Sequence, residues 1–481
     1  MVTRISIGLL IAAASLSGER IETGPKFYSD DPLWREPRPM SVDKLKRRKI
    51  SDYYDLFWHL LATPGEPQPN DGPIRAQAVN TLGEVPDSAW YTNRHGSRRM
   101  SIEDLVRGPA TQGPPSMDGP WQVLTAKSEG VTPGFLIRDG RGRRYFLKFD
   151  PKSNPEMATA ADVIGSKFFY ALGYHVPENY LVTFSRGQLS IDPKAKLTDA
   201  QGRERPMTGL DVDEVLRKVP VDSDGQYRAL ASLFLKGQPI GPFRYHGTRR
   251  DDPNDVVPHE HRRDLRGLYV FASWLGHDDS RSINTLDMVV EENGARFVKH
   301  HLIDFGSILG SASEKSNSAR SGNEHLFAWR PAAVEIASLG LWVPRWARAR
   351  FPELPSVGRF EYQRYSPDDF KPEYPNPAFE RRLPDDTFWA AKQVMAFRDE
   401  EIRAIVQTGE YSDPRAEDWI VKSLIERRNK IGRTYFARVL PLDGFAVCGD
   451  ELTFADLSVK YGFAPKRGYS VEWANFDNRT R

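Results

Sequence analysis

Cysteine is all but missing from this chain: Cys448 is the only one in 481 residues. Internal disulfides and cysteine-cluster metal sites are thereby excluded, and Cys448 lies far from every motif described below. Net charge is nearly missing too, because 67 basic residues face 65 acidic ones and leave a formal +2. Nothing global argues for a nucleic-acid partner, so any charge logic must be local. Long apolar runs are scarce. The run at 5–14 is too short to span a bilayer and no longer one replaces it, so no transmembrane segment is expected. With Arg4 before it and small residues at 15–18 after it, that run has the outline of a secretory signal peptide. Export to a periplasmic or external space is the expectation, with a cytoplasmic location if the run is not a functional signal.

What remains has a clear order. Residues 19–115 are rich in Pro, Arg and Asp, with helices expected only at 42–62 and 101–106, and read as an extension wrapping the main domain. Strands follow at 121–127, 135–138 and 144–149, with an Asp139-Gly140 hairpin signal between the last two. The spacing of Ala158, Ala161, Ile164, Phe168 and Leu172 predicts a helix over 155–172 that ends at Gly173. Strand character resumes at 180–184 and 188–191. A helix is expected at 225–234, and another from His261 to Leu275 that stops at Gly276. A second hairpin spans 286–303, and long helices are expected at 386–406 and 413–436. The tail from 438 to 481 reads as a small β appendage.

The chemistry-bearing residues cluster around the second hairpin. The loop His277-Asp278-Asp279-Ser280-Arg281-Ser282-Ile283-Asn284 sets a carboxylate and an amide oxygen five positions apart on one tight turn. One can orient a nucleophile while the other binds a cation. Asp304-Phe305-Gly306 places a further carboxylate at the rigid end of an apolar strand. Phosphoryl transfer from ATP needs little more than held phosphates, fixed Mg²⁺ and a carboxylate beside the attacking hydroxyl.

These motifs resemble those of the protein-kinase-like superfamily. Residues 277–284 reproduce the H-x-D-x-x-x-x-N catalytic-loop spacing, and 304–306 the D-F-G triplet. The resemblance implies a bilobal α+β fold, with Asp279 as catalytic base, Asn284 and Asp304 as Mg²⁺ ligands, and Arg281 as a phosphate-contacting cation. It also makes Lys148, in the strand Tyr145-Phe146-Leu147-Lys148-Phe149, similar to the phosphate-anchoring lysine of the third kinase strand. Such a lysine needs an acidic partner on the next helix. Asp162 and Glu156 are the candidates, and Asp162 is favoured because its place in the helix body looks like that in HipA-type kinases. The phosphate cover would be 128–134 with Gly130 and Gly134, which departs from G-x-G-x-x-G. No A-P-E triplet follows Asp304, and Asp278 replaces the usual Arg. The look is therefore nearer the atypical branch, meaning HipA-type, phosphoinositide and secretory-pathway kinases.

The sequence thus predicts an extension at 19–115, a β-rich small lobe at 116–191, a mostly helical lobe at 192–437 and the appendage at 438–481. The expected activity is ATP- and Mg²⁺-dependent phosphotransfer to an unspecified protein, lipid or small-molecule acceptor, with nucleotidyl transfer open to the same ligands. Two other readings stand beside it. A pseudokinase or nucleotide-binding module would suit the sparse glycine loop. A metal-dependent hydrolase could use His259, His261, His277, Asp278, Asp279, His300, His301 and Asp304. Against the latter, His259-Glu260-His261 has no H-E-x-x-H continuation, and His300 and His301 point to opposite strand faces.

Overall fold

The computed structural model describes residues 26–27, 31, 39–126, 133–198, 204–339 and 341–473. The expected leader at 1–18 and Gly130 lie outside the described residues. The chain opens with helices α1 (Asp52–Leu61) and α2 (Ile102–Arg107), each capped by a serine hydroxyl at Ser51 and Ser101. The expected helix over 42–62 forms only in its second half. Residues 42–48 instead form no helix and cross a three-stranded sheet from one outer strand to the other, with Val42 N–H donating to the Arg296 carbonyl and Arg48 N–H to that of Ile240.

Strands β1 (Trp121–Ala126), β2 (Gly134–Arg138) and β3 (Arg144–Lys148) form the antiparallel meander expected from their apolar alternation. Asp139 pins the turn, its carboxylate accepting the N–H groups of Arg141, Arg143 and Ser116. Helix α3 (Met157–Ala171) is buried along almost its whole length. Its first turn is capped from outside by Asp150, which accepts the N–H of Ala158 at 2.7 Å and of Thr159 at 2.9 Å. Gly173, at φ +108°, closes it with the Tyr174 N–H returning to the Phe169 carbonyl. Then come β4 (Asn179–Ser185), β5 (Leu189–Ile191), the small pair β6 (Lys196–Thr198) and β7 (Glu204–Pro206), α4 (Gly209–Leu216) and β8 (Gln226–Leu233).

Segment 225–234 is thus a strand and not the expected helix. Its Ala and Leu residues favour a helix, but β8 fills the gap between β3 and β4 and pairs antiparallel with both. Tertiary pairing overrides local propensity there. The finished sheet runs β4-β8-β3-β2-β1-β5 and draws on chain beyond residue 191. Its own core gathers Trp121, Phe135, Tyr145, Phe149 and Phe184.

The other lobe is mostly helical. After β9 (Gln238–Gly241), α5 (Arg263–Leu275) ends at Gly276, φ +71°, and leads into the loop before β10 (Thr285–Glu292) and β11 (Ala295–Leu302). Beyond α6 (Trp329–Ala337) and α7 (Pro377–Glu380), the expected helix over 386–406 divides into α8 (Pro384–Met395) and α9 (Asp399–Gln407). The carboxylate of Glu401 accepts the Arg398 N–H and starts α9 afresh. Helix α10 (Pro414–Phe436) is capped by Asp413, and β12 (Leu442–Cys448), β13 (Glu451–Asp456) and α11 (Leu457–Lys460) end the described chain. The α+β class with a β-rich and a helical lobe is the one observed. Among the described residues no helix is long and apolar enough to cross a membrane.

Candidate active site

The site forms where β3, α3 and the end of β11 meet. Along β3 the side chains of Tyr145 and Leu147 enter the sheet core, which sends Lys148 to the opposite face, toward α3. Its ammonium donates to Asp162 Oδ2 at 3.0 Å and to Asp304 Oδ1 at 2.7 Å. Burial alone disfavours that charge, but the two carboxylates outweigh it and hold the pKa above the ordinary lysine value.

Asp162 is 1% exposed yet fully engaged. Besides Lys148 it accepts from Asn179 Nδ2 at 2.9 Å and from the Phe305 N–H at 3.2 Å. Burial raises its pKa against the pull of Lys148. One helix carboxylate therefore ties the strand lysine, the start of β4 and the Asp304 turn together. In this geometry it is Asp162, and not Glu156, that meets Lys148. The Glu156 carboxylate accepts the Ser412 N–H at 3.0 Å and is not brought to Lys148.

The turn itself is held on the other side. Asp304 has φ +62°, a left-handed conformation that costs a non-glycine residue about 1–3 kcal/mol and persists only where packing enforces it. Phe305 supplies the packing: it is fully buried, stacked on Phe169 at 4.9 Å between ring centres and tilted against His277 at 6.2 Å. Gly165 of α3 lies beneath, where a Cβ would stand 2.6 Å from that of Phe305. Asp162, Gly165 and Phe169 share one face of α3 at spacings of three and four, and the turn rests on it.

The loop from 277 to 284 closes onto the same place. Thr285 pairs with Leu302 across the hairpin, and the Ile303 N–H donates to the Asn284 carbonyl at 3.0 Å, so Asn284 sits beside Asp304. The Asn284 amide nitrogen donates to the Asp279 carbonyl at 2.8 Å. Burial raises the Asp279 pKa, Arg281 opposes this and the nearby Asp304 charge adds to it. Arg281 Nε contacts the Asp279 carboxylate, while Nη1 reaches Asp52 Oδ1 at 3.0 Å and Glu373 Oε2 at 3.2 Å. Three carboxylates thus share one guanidinium. Burial, then the Asp279 charge, pushes Glu373 up to about 8, and burial pushes Asp278 up to about 7. Asp278 turns away from the cleft to Asn317. His277 is pulled down to about 4 by burial and stays neutral behind Phe305.

The cleft above this cluster is lined by Lys148, Phe149, Ala158, Thr159, Asp162, Leu230, Asp304, Gly306 and Ser313. Gly134 lies directly across the ladder from Lys148, where a Cβ would meet the Leu147 carbonyl oxygen at 2.2 Å. Its role in the structure is close approach of two strands. Asn179, Asp52, Glu373 and Gly165 have no sequence signal that marks them, since each acts through a contact distant in the chain.

The histidines of the hydrolase reading are dispersed into other partnerships. His259 Nε2 is 2.8 Å from Asp255, His261 Nε2 is 3.0 Å from Glu66, and His300 Nδ1 is 2.7 Å from Asp287 with its ring stacked on Trp90. Among the described residues no three His, Cys, Asp or Glu side chains gather as a metal set.

No protein-family model matches the chain, and no curated protein matches it. Two solved structures of the Golgi casein kinase are similar in outline. The first is 8% identical and covers 69% of this chain and 75% of its own, with a TM-score of 0.31. The second, solved with Mn/ADP bound, is 9% identical over 70% and 78%, with a TM-score of 0.29. At that level the activity, nucleotide and metal of those kinases stay their own.

Proposed function

We propose that the chain is an ATP- and Mg²⁺-dependent phosphotransferase of the atypical kinase-like type, with the cleft between the lobes as the nucleotide site. The observation that carries the reading is Lys148, bonded at once to a helix carboxylate and to the carboxylate of the Asp304-Phe305-Gly306 turn. A structural lysine on a strand needs one counter-charge. Two carboxylates on one ammonium, the outer of them 40% exposed at the cleft, leave an anionic face that suits a divalent cation.

The residues present fit such a group. Asp304 offers a hard oxygen ligand, and Asn284, whose amide nitrogen is already committed to Asp279, offers its amide oxygen. Mg-ATP would supply the phosphoryl group and the neutralising charge. Lys148, kept protonated by Asp162, would anchor the α and β phosphates. Asp279, with its pKa raised, is a stronger base than an ordinary carboxylate and would take the proton of the incoming hydroxyl. Arg281 would hold that carboxylate in place through its contacts with Asp52 and Glu373.

The test is nucleotide titration and turnover with and without Mg²⁺, repeated on Asp304→Ala. The wild-type protein should need both, and the variant should fold normally and show no Mg²⁺-dependent turnover. Turnover that survives the substitution removes the mechanism. Product mass separates phosphoryl from nucleotidyl transfer, as a gain of roughly 80 against roughly 329 Da.

A further inference from the structure

The chain between the Asp304 turn and α7 carries an apolar surface that the site does not use. Among the described side chains of helix α6 none is buried, although Val334 and Ile336 lie on it. The residues that follow are more exposed still, with Leu339 at 91% and Leu341 at 88%. Leu326, Phe327 and Trp329 are also exposed on its N-terminal side. An apolar patch of this size is not left to water without a reason. The segment is nonetheless anchored at its base: the Leu326 N–H donates to the Glu373 carbonyl at 2.7 Å, and Trp346 Nε1 donates to Glu324 at 2.7 Å.

Its charge points to the occupant. Between 325 and 352 the sequence holds four arginines, at 330, 345, 348 and 350, against the single carboxylate of Glu335. Arg345, Arg348 and Arg350 are exposed beside the apolar residues. Tryptophans at 329, 342 and 346 add rings of the kind that settle at a membrane–water boundary. A second copy of this chain would set arginine against arginine. A bilayer with anionic headgroups satisfies both halves of the surface at once, and nine residues of α6 are enough to lie in an interface, though far too few to span it.

We propose that residues 326–350 form a docking surface for an anionic lipid bilayer. Leucine, valine and tryptophan side chains enter the headgroup boundary and the arginines pair with lipid phosphates and carboxylates. This stands independently of phosphoryl transfer. Through Leu326, Glu373 and Arg281 it would bring the loop that bears Asp279 close to the lipid surface.

The test is flotation of the full-length protein with vesicles of phosphatidylcholine alone or mixed with phosphatidylserine. Wild-type protein should float with the mixed vesicles, and raised salt should weaken the binding. Leu339→Glu with Leu341→Glu should cut the affinity about tenfold or more. Its circular dichroism and melting should stay unchanged, because both side chains are exposed. Arg345→Gln with Arg348→Gln should lose about fivefold per arginine, equivalent to about 1 kcal/mol each. Folded wild-type protein that floats with neither vesicle overturns the proposal, as does binding that the leucine pair does not affect. A dimer in sedimentation that the leucine variant dissolves, with no vesicle uptake, assigns the face to a second copy and overturns it as well.

Discussion

Replacing Lys148 with methionine removes the one ammonium that faces two carboxylates while keeping most of the side-chain volume. Asp162 cannot compensate by moving, because Asn179 and the Phe305 N–H hold its other oxygen. Taking one partner from a buried ion pair costs about 3–5 kcal/mol, and the Lys148 side chain is 19% exposed, so the lower end, about 3 kcal/mol, is expected. The pH dependence has a definite sign. Asp162 already has a folded pKa above its unfolded value, so its contribution to stability is fully present at low pH and is lost as pH rises through the folded pKa. Removing the ammonium pushes that carboxyl further up. The variant's deficit should therefore be small in mildly acidic buffer and grow steadily toward alkaline pH. Urea unfolding followed by circular dichroism measures it, with Lys148→Met, Asp162→Leu and the double variant run side by side. The double variant should regain part of the loss at neutral pH. An unfolding midpoint for Lys148→Met that equals the wild type's at every pH refutes the paired geometry.

Other consequences are equally direct. Gly165→Ala drives a methyl group into Phe305 and Ile308, and should destabilise by about 1–3 kcal/mol in thermal melts and weaken Mg-nucleotide binding by calorimetry. Asp279→Asn should lower turnover by about 10²–10⁴-fold while Mg-ADP affinity stays nearly unchanged; a parallel loss of binding would place Asp279 among the cation ligands instead. Glu373, raised to about 8, contributes stability at low pH that fades as pH rises through that value. Glu373→Gln should accordingly gain in melting temperature relative to wild type between mildly acidic and mildly alkaline buffer, and a constant difference would contradict the burial of Glu373 beside Asp279.

The local signals in the sequence were strong where a single element had to satisfy them. Apolar alternation and an Asp-Gly turn specified the β1–β3 meander, and a three-and-four spacing ending in glycine specified α3. The loop from 277 to 284, the Asp304 turn and Lys148 were visible because their chemistry lies in contiguous residues at set spacings. The expectation failed at 225–234, where a helix-favouring stretch becomes β8 because two strands needed a partner between them. It also failed at 42–51, which crosses the face of the three-stranded sheet from β11 to β9 with Leu45 packed on it, and at 396–398, where a new cap divides one helix into two.

Sequence alone supplied the candidate residues for phosphate and cation proposed above and the order in which the chain presents them. The tertiary structure adds the contact itself: Asp162, in the body of α3, meets Lys148, while Glu156 precedes the first residue of that helix and holds the Ser412 N–H. Tertiary structure alone also brought Asp52 and Glu373 to Arg281. Charge pairing acts through space over a few ångströms, and nothing in the linear spacing of 52, 281 and 373 encodes their separation.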